Sequence, residues 1–384
     1  MSRIFVTLAI PTILLAMPLA TAETITPDVE HVTVWHEEGR FAGWPANNGI
    51  WMWGDEILVG FSIGYHKDLG DNHNIDRELP ERSHLARSLD GGETWSLEYP
   101  PAKGYLVPEG EWLHGIPDPA LEVPELKDCP GGIDFTHPNF ALTVRMESHH
   151  AGVSRFWYSY DRGHVWEGPF RLPNYGRPGT AARTDYLIDG PHEAMLFLTA
   201  PKPDGREGQP FCVRTTDGGA SWEFVSWIGE IPDGFSIMPS TVRLSEDEII
   251  TTVRRREGPK RWIGAYLSED NGASWEPLPD PVESTGVGNP PSLLQLRDGR
   301  LCLIYAYRAK PSSIRAVLSN DNGRSWSEPI VLRDDGANHD IGYCRTVQRP
   351  DGKVVTVYYI NEPSTGPERY IAATIWDVEA IPVE

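Results

Sequence analysis

Five times along the chain an Asp is followed by a Gly two residues on and by a Trp five residues on. The segments occupy residues 88–95, 159–166, 215–222, 268–275 and 319–326. Counted between Asp90, Asp161, Asp217, Asp270 and Asp321, the spacings are 71, 56, 53 and 51 residues. Each motif carries the chemistry of a tight hairpin: the carboxylate accepts from turn N–H groups, the Gly takes a positive φ, and the indole covers the turn. Such a motif builds structure and performs no reaction. Repeated at just above fifty residues, it predicts four-stranded units stacked radially as propeller blades.

The repeats are Asp boxes, and the chain resembles the sialidase (neuraminidase) superfamily of Asp-box, or BNR-repeat, proteins. That resemblance covers nearly all of residues 23–384 and implies an all-β, six-bladed β-propeller of four-stranded blades. Strand patterns agree with it. The fourth unit predicts strands over 241–244, 249–253, 262–267 and 275–278, and the fifth over 292–296, 301–306 and 314–318. After the last box come three more strands, 343–348, 354–360 and 370–376, with no box. Residues 31–36, alternating through Val32, Val34 and His36, supply the missing outer strand and close the ring without an open edge. Composition suits many short strands and turns: 14 Trp, 37 Gly and 34 Pro in 384 residues.

Residues 1–22 read as a signal peptide and not as part of the fold. Arg3 is followed by an apolar stretch and by the Ala20-Thr21-Ala22 cleavage pattern, while Pro11 and Pro18 interrupt any spanning helix. The expectation is an exported protein (periplasmic or extracellular) without a membrane anchor, with residues 23–384 as one propeller domain. A net charge of −21 argues against nucleic acid or an anionic membrane as the principal partner. Cys129, Cys212, Cys302 and Cys344 allow three disulfide pairings, with buried free thiols as the alternative. No C-x-x-C spacing points to a metal.

In a propeller of this order, connections between the second and third strands of a blade, and between blades, share one face around the central channel. The Asp boxes lie on the other. The first face receives the loop 65–82, with His66 and His73, then His149, His150 and the run Arg254-Arg255-Arg256. It also receives loop 307–313 and the approach 338–343, with His339, while Arg183 and Asp185 start a strand nearby. Clustered guanidinium groups bind carboxylates bidentately, so an acidic ligand is expected despite the global charge.

The resemblance implies roles at matching positions. Sialidases hold the substrate carboxylate with three arginines; Arg254 or Arg255 matches the second and Arg308 or Arg315 the third. Tyr343 matches the nucleophilic Tyr of the last blade, nine residues before the Gly of the Pro350-Asp351-Gly352 turn. The blade-1 loop holds the family's acid, for which Asp76 is the choice, with Asp71 and His73 as rivals and Arg77 as a further clamp. Two positions depart from the pattern. Gly43 stands where the first Arg belongs, and residues 237–240 (Ile-Met-Pro-Ser) lack the Glu that activates the Tyr, which leaves Asp185 or Asp340 as substitutes.

The leading expectation is therefore a sialidase-like exo-glycosidase hydrolysing a terminal acidic sugar of a glycan, with no cofactor. Elimination from a uronic acid, with His73 or His149 and Tyr343 as base and acid, is the alternative enzyme. A non-catalytic carbohydrate-binding propeller is the third, in which Trp44, Trp51, Trp53 and Trp112 stack on sugar faces.

Overall fold

The computed structural model describes residues 27–98, 116, 118–120, 125–378 and 381. The expected signal peptide and Trp112 lie outside them. The first strand, β1 (Val29–Trp35), belongs to the last blade. Blade 1 comprises β2 (Arg40–Gly43), β3 (Gly49–Trp53), β4 (Glu56–Tyr65), β5 (Arg82–Ser88) and β6 (Ser96–Glu98). Its inner strand is broken, because β2 and β3 pair with successive halves of β4 across a single 3-10 turn, Pro45–Asn47. Among the described residues blade 2 has three strands, β7 (Ala141–Arg145), β8 (Arg155–Ser159) and β9 (Glu167–Arg171).

Blade 3 is regular, with β10 (Tyr186–Ile188), β11 (Ala194–Pro201), β12 (Glu207–Thr215) and β13 (Glu223–Trp227). Blade 4 follows the same order through β14 (Phe235–Arg243), β15 (Ile249–Glu257), β16 (Lys260–Ser268) and β17 (Glu276–Val282). In blade 5 the strands are β18 (Ser292–Gln295), β19 (Leu301–Tyr307), β20 (Ser312–Ser319) and β21 (Ile330–Gly336). Blade 6 takes β22 (Gly342–Gln348), β23 (Val354–Ile360) and β24 (Tyr370–Trp376), and β1 completes it by pairing antiparallel with β24. The closure read from residues 31–36 is the closure observed.

The core is a ring of six inter-blade layers. Alternate residues of β23 show why: Val354, Tyr358 and Ile360 pack toward blade 5, whereas Val355, Val357 and Tyr359 pack toward blade 1. A second strand buried on both sides must be almost wholly apolar, and Val-Val-Thr-Val-Tyr-Tyr-Ile meets that demand, the hydroxyl of Thr356 accepting from Thr346 Oγ1. The same alternation joins blades 4 and 5, and blades 3 and 4. All four cysteines are buried free thiols, so the disulfide option falls away.

Each box is a knot of side-chain hydrogen bonds. At Asp270, Ser268 Oγ donates to Oδ1 at 2.8 Å, Ser274 N to Oδ1 at 2.8 Å and Ser274 Oγ to Oδ2 at 2.6 Å. The boxes also touch the first turn of a blade, as in Asn271 N to Asp247 O and Gly91 N to Asp55 O. This places them on the face opposite the loops considered below. Two strands depart from expectation. Strand β14 begins at Phe235 and crosses a register shift between Ile237 and Ser240. Strand β15 continues to Glu257, so Arg254-Arg255-Arg256 is strand and not loop.

Candidate active site

Three inner strands break at one level. Trp44 (φ 60), Met238 (φ 55) and Tyr343 (φ 51) are all left-handed, and each sits at an interruption or register shift of blades 1, 4 and 6. Non-glycine residues held there cost about 1–3 kcal/mol each and collect where a side chain must be aimed. The breaks meet: Ala46, Ile237 and Met238 form one buried cluster, with Phe235 and Tyr343 packed on it.

Arginines from blades 4 and 5 stand at Tyr343, and one from blade 3 acts on the charge of Arg254. Arg254 Nη1 donates to Tyr343 Oη at 3.2 Å, and its guanidinium lies 5.6 Å from the Phe235 ring. Arg308 lies 5.3 Å from the Tyr343 ring, buried, with Nε on Ile341 O at 2.8 Å and Nη2 on Tyr359 Oη at 2.6 Å. Arg183 is held by Glu207 at 2.5 Å and by Asn47 Oδ1 at 3.3 Å. Among the described residues Arg254 has no carboxylate partner, and its Nε is buried without a hydrogen bond. Burial, with the charges of Arg308 and Arg183 beside it, pulls the Arg254 pKa down, although Tyr343 opposes the shift. A partly buried guanidinium lacking its anion is costly, and a ligand carboxylate would relieve it.

Beside the arginines Asp340 anchors a second group. Its Oδ1 accepts from Tyr359 Oη at 2.6 Å and lies 2.8 Å from His73 Nδ1 and 3.6 Å from Arg308, while Oδ2 lies 3.4 Å from Arg369 Nε. Burial pushes this carboxyl upward, but the His73 contact and the charges of His73, Arg308 and Arg369 outweigh it and hold its pKa well below the usual range. Trp44 meets the His73 ring edge-on at 5.4 Å. Nearby, Arg345 donates to Ala46 O and Thr184 O, and Arg145 to Asn48 Oδ1 and Ser83 Oγ. Asp185 accepts from Thr241 N at 3.2 Å and Thr241 Oγ1 at 2.8 Å; burial raises its pKa to about 7, against the pull of Arg345.

The structure thus brings together Tyr343, Arg254, Arg308, Asp340 and His73, with Arg183 beside Arg254, and it leaves other expected residues elsewhere. Asp76 is held inside its own loop by Lys67 Nζ at 3.2 Å and Glu78 N at 3.0 Å. Arg77 next to it is exposed. Arg255 alternates away from Arg254 to lie 4.8 Å from the Trp262 ring, and Arg315 lies 4.0 Å from the Tyr307 ring with Nε on Ser313 Oγ. Asp185 is buried and spends its carboxylate on Thr241. Trp51 and Trp44 are core residues, 6 % and 1 % exposed. At Gly43 a Cβ would stand 2.8 Å from the Phe41 ring, so that position has no room for a side chain.

Sequence reasoning passed over Arg369 and Tyr359. Arg369 sits in the connection between β23 and β24, which the face rule would have selected; Tyr359 alternates inside an apolar strand and gives no signal. Among the described residues no three His, Cys, Asp or Glu side chains are placed to hold a metal ion.

The model of the BNR repeat-like domain matches residues 140–356, more than half of the chain. The protein belongs to the BNR repeat-like family. No curated protein matches its sequence. Several solved structures share the propeller of this BNR-repeat protein. A Dyadobacter fermentans protein of unknown function is 19 % identical, with TM-score 0.68, over 91 % of this chain and 99 % of that one. The Penicillium chrysogenum α-L-arabinanase is 14 % identical, with TM-score 0.61, over 93 % and 100 %. The Streptococcus pneumoniae NanB sialidase is 11 % identical, with TM-score 0.57, over 91 % and 71 %. At such identities the likeness is one of fold.

Proposed function

We propose that this BNR-repeat protein is a sialidase-like glycoside hydrolase that removes a terminal acidic sugar from a glycan. The observation that carries the reading is Arg254, partly buried, without a carboxylate partner among the described residues, and bonded to the hydroxyl of Tyr343. The sugar carboxylate sits on Arg254, with Arg308 and Arg183 adding positive charge. Tyr343 Oη attacks the anomeric carbon, and Arg254 supports the negative charge on that oxygen. A phenol suits this task, because it stays neutral beside the substrate carboxylate until its proton leaves as it attacks. The glycosidases among the structural neighbours lend support of kind, not of substrate.

One observation favours a second reading. Met238, 4 % exposed, packs beside Tyr343 in the stretch where the resemblance asks for an activating carboxylate. Elimination from a uronic acid needs no such group: the arginines neutralise the acid, and Tyr343 and His73 move the two protons. Purified protein is therefore assayed on a fluorogenic α-sialoside and on uronate glycans. Hydrolysis of the sialoside, reduced at least ~10³-fold in Tyr343→Phe, supports the first reading. A product absorbing in the near ultraviolet, without sialoside release, replaces it with the second. Turnover of neither sinks both.

A further inference from the structure

We propose that His73, held by Asp340, is the proton-transferring residue of this mouth. The inference rests on the reading of the Arg254–Tyr343 site as the active site, and it moves the acid from Asp76 to a residue three positions earlier. Asp76 spends its carboxylate on Lys67 Nζ and the Glu78 amide within its own loop. His73 leaves that loop and crosses to the connection between blades 5 and 6, where its Nδ1 lies 2.8 Å from Asp340 Oδ1.

Three features make the arrangement suited to proton transfer. First, Asp340 is 2 % exposed and is ringed by Tyr359, Arg308 and Arg369, so its position is over-determined. A carboxylate so placed fixes the imidazole tautomer with the proton on Nδ1 and compensates the ring when Nε2 is also protonated. Second, Nδ1 is buried while the side chain as a whole is 29 % exposed, so the part of the ring that reaches solvent is not the nitrogen facing Asp340. Third, the pair adjoins the nucleophile. Tyr359, which donates to Asp340, has its ring 6.0 Å from that of Tyr343, and Arg308 lies near both rings.

The chemistry balances as follows. As the bond from Tyr343 Oη to the anomeric carbon forms, the bond to the leaving oxygen breaks and that oxygen takes the proton from His73 Nε2. The phenolic proton passes to bulk water. In the second half, a water attacks the anomeric carbon, His73 Nε2 accepts its proton, and Tyr343 leaves and regains a proton from solvent. Net consumption is one water per glycosidic bond.

The test compares an aryl leaving group, which departs without help, with an alcohol, which needs protonation. Wild type, His73→Gln, Asp340→Asn and Arg254→Met are assayed on 4-methylumbelliferyl α-sialoside and on sialyl-lactose. In His73→Gln, kcat/KM, which reports the first half-reaction, is expected to fall about 10²–10⁴-fold on sialyl-lactose and less than about tenfold on the aryl sialoside, while kcat falls on both because the second half is common to them. Asp340→Asn, a positioning change, follows the same leaving-group split in kcat/KM with a smaller loss. Equal losses of kcat/KM on both sialosides, or wild-type turnover of sialyl-lactose by His73→Gln, overturn the proposal. His73 is partly exposed, so its variant decides the matter even if Asp340→Asn does not fold. Arg254→Met reports separately on the underlying reading: if it retains wild-type activity, the mouth is not the active site. If it is inactive while His73→Gln is unaffected, only the role of His73 fails.

Discussion

Asp185 and Asp340 are both buried carboxyls, 8 % and 2 % exposed, yet their titrations move in opposite directions. The difference lies in the neighbours. Asp340 has His73, Arg308 and Arg369 within 4 Å, whereas Asp185 has two hydrogen bonds from Thr241 and only the more distant charge of Arg345. Because the folded pKa of Asp185 is raised to about 7, its contribution to stability is fully present below the ordinary carboxylate range and is lost as pH climbs through about 7. Asp340 runs the other way: its contribution is present above that range and is lost as pH falls toward its depressed folded pKa. Asp185→Asn removes the first effect and keeps an acceptor for Thr241. Its melting temperature relative to wild type should therefore rise between pH 5 and pH 8; parallel curves across that interval would sink the assignment.

At the scale of elements, the Asp box does more than turn a hairpin. The Gly of each box lies against the preceding unit: a Cβ on Gly323 would stand 2.5 Å from Ile250 Cδ1 of β15, and one on Gly272 2.8 Å from Met195 Cε of β11. The boxes are thus staples between blades as well as caps within them. Gly299, in the turn between β18 and β19, has φ +90 and nothing within 4 Å of such a Cβ, against φ +84 at Gly323. Gly299→Ala is expected to cost about 1 kcal/mol, for backbone strain alone. Gly323→Ala should cost about 1–3 kcal/mol more through the clash with Ile250. Chemical denaturation of the two variants measures the difference, and equal losses would mean that the packing role is absent.

Across the whole molecule, stability depends on closing the ring. Pairing of β1 with β24 covers an edge that would otherwise present free N–H and C=O groups. Removing residues 27–36 is expected to give an aggregating or unfolded chain, which size-exclusion chromatography and circular dichroism would reveal. A monomer of native spectrum would show that closure is dispensable. The same closure assembles the mouth, because His73 from blade 1 meets Asp340 only after blade 6 has come round beside blade 1.

Local chemistry was enough to specify the blades, since Asp-box turns and two-sided apolar strands such as β23 need only neighbouring residues to declare themselves. The outer strand at β1 was legible for the same reason, as alternation ending a ring that lacked one strand. Loop residues at the mouth were legible as a group, because connectivity alone assigns a face. Which of them converge was not. Arg254 and Arg255 are adjacent and chemically identical, and only the bulge in β14 and the pairing of β15 aim one at Tyr343 and the other at Trp262. Asp76 and His73 share one polar loop, and only the crossing to Asp340 separates them. The propeller, and the face that bears the site, follow from local patterns along the chain. The site itself emerges only on folding, because a cluster gathered from blades 1, 3, 4, 5 and 6 depends on side-chain direction and burial across hundreds of residues, which no local pattern encodes.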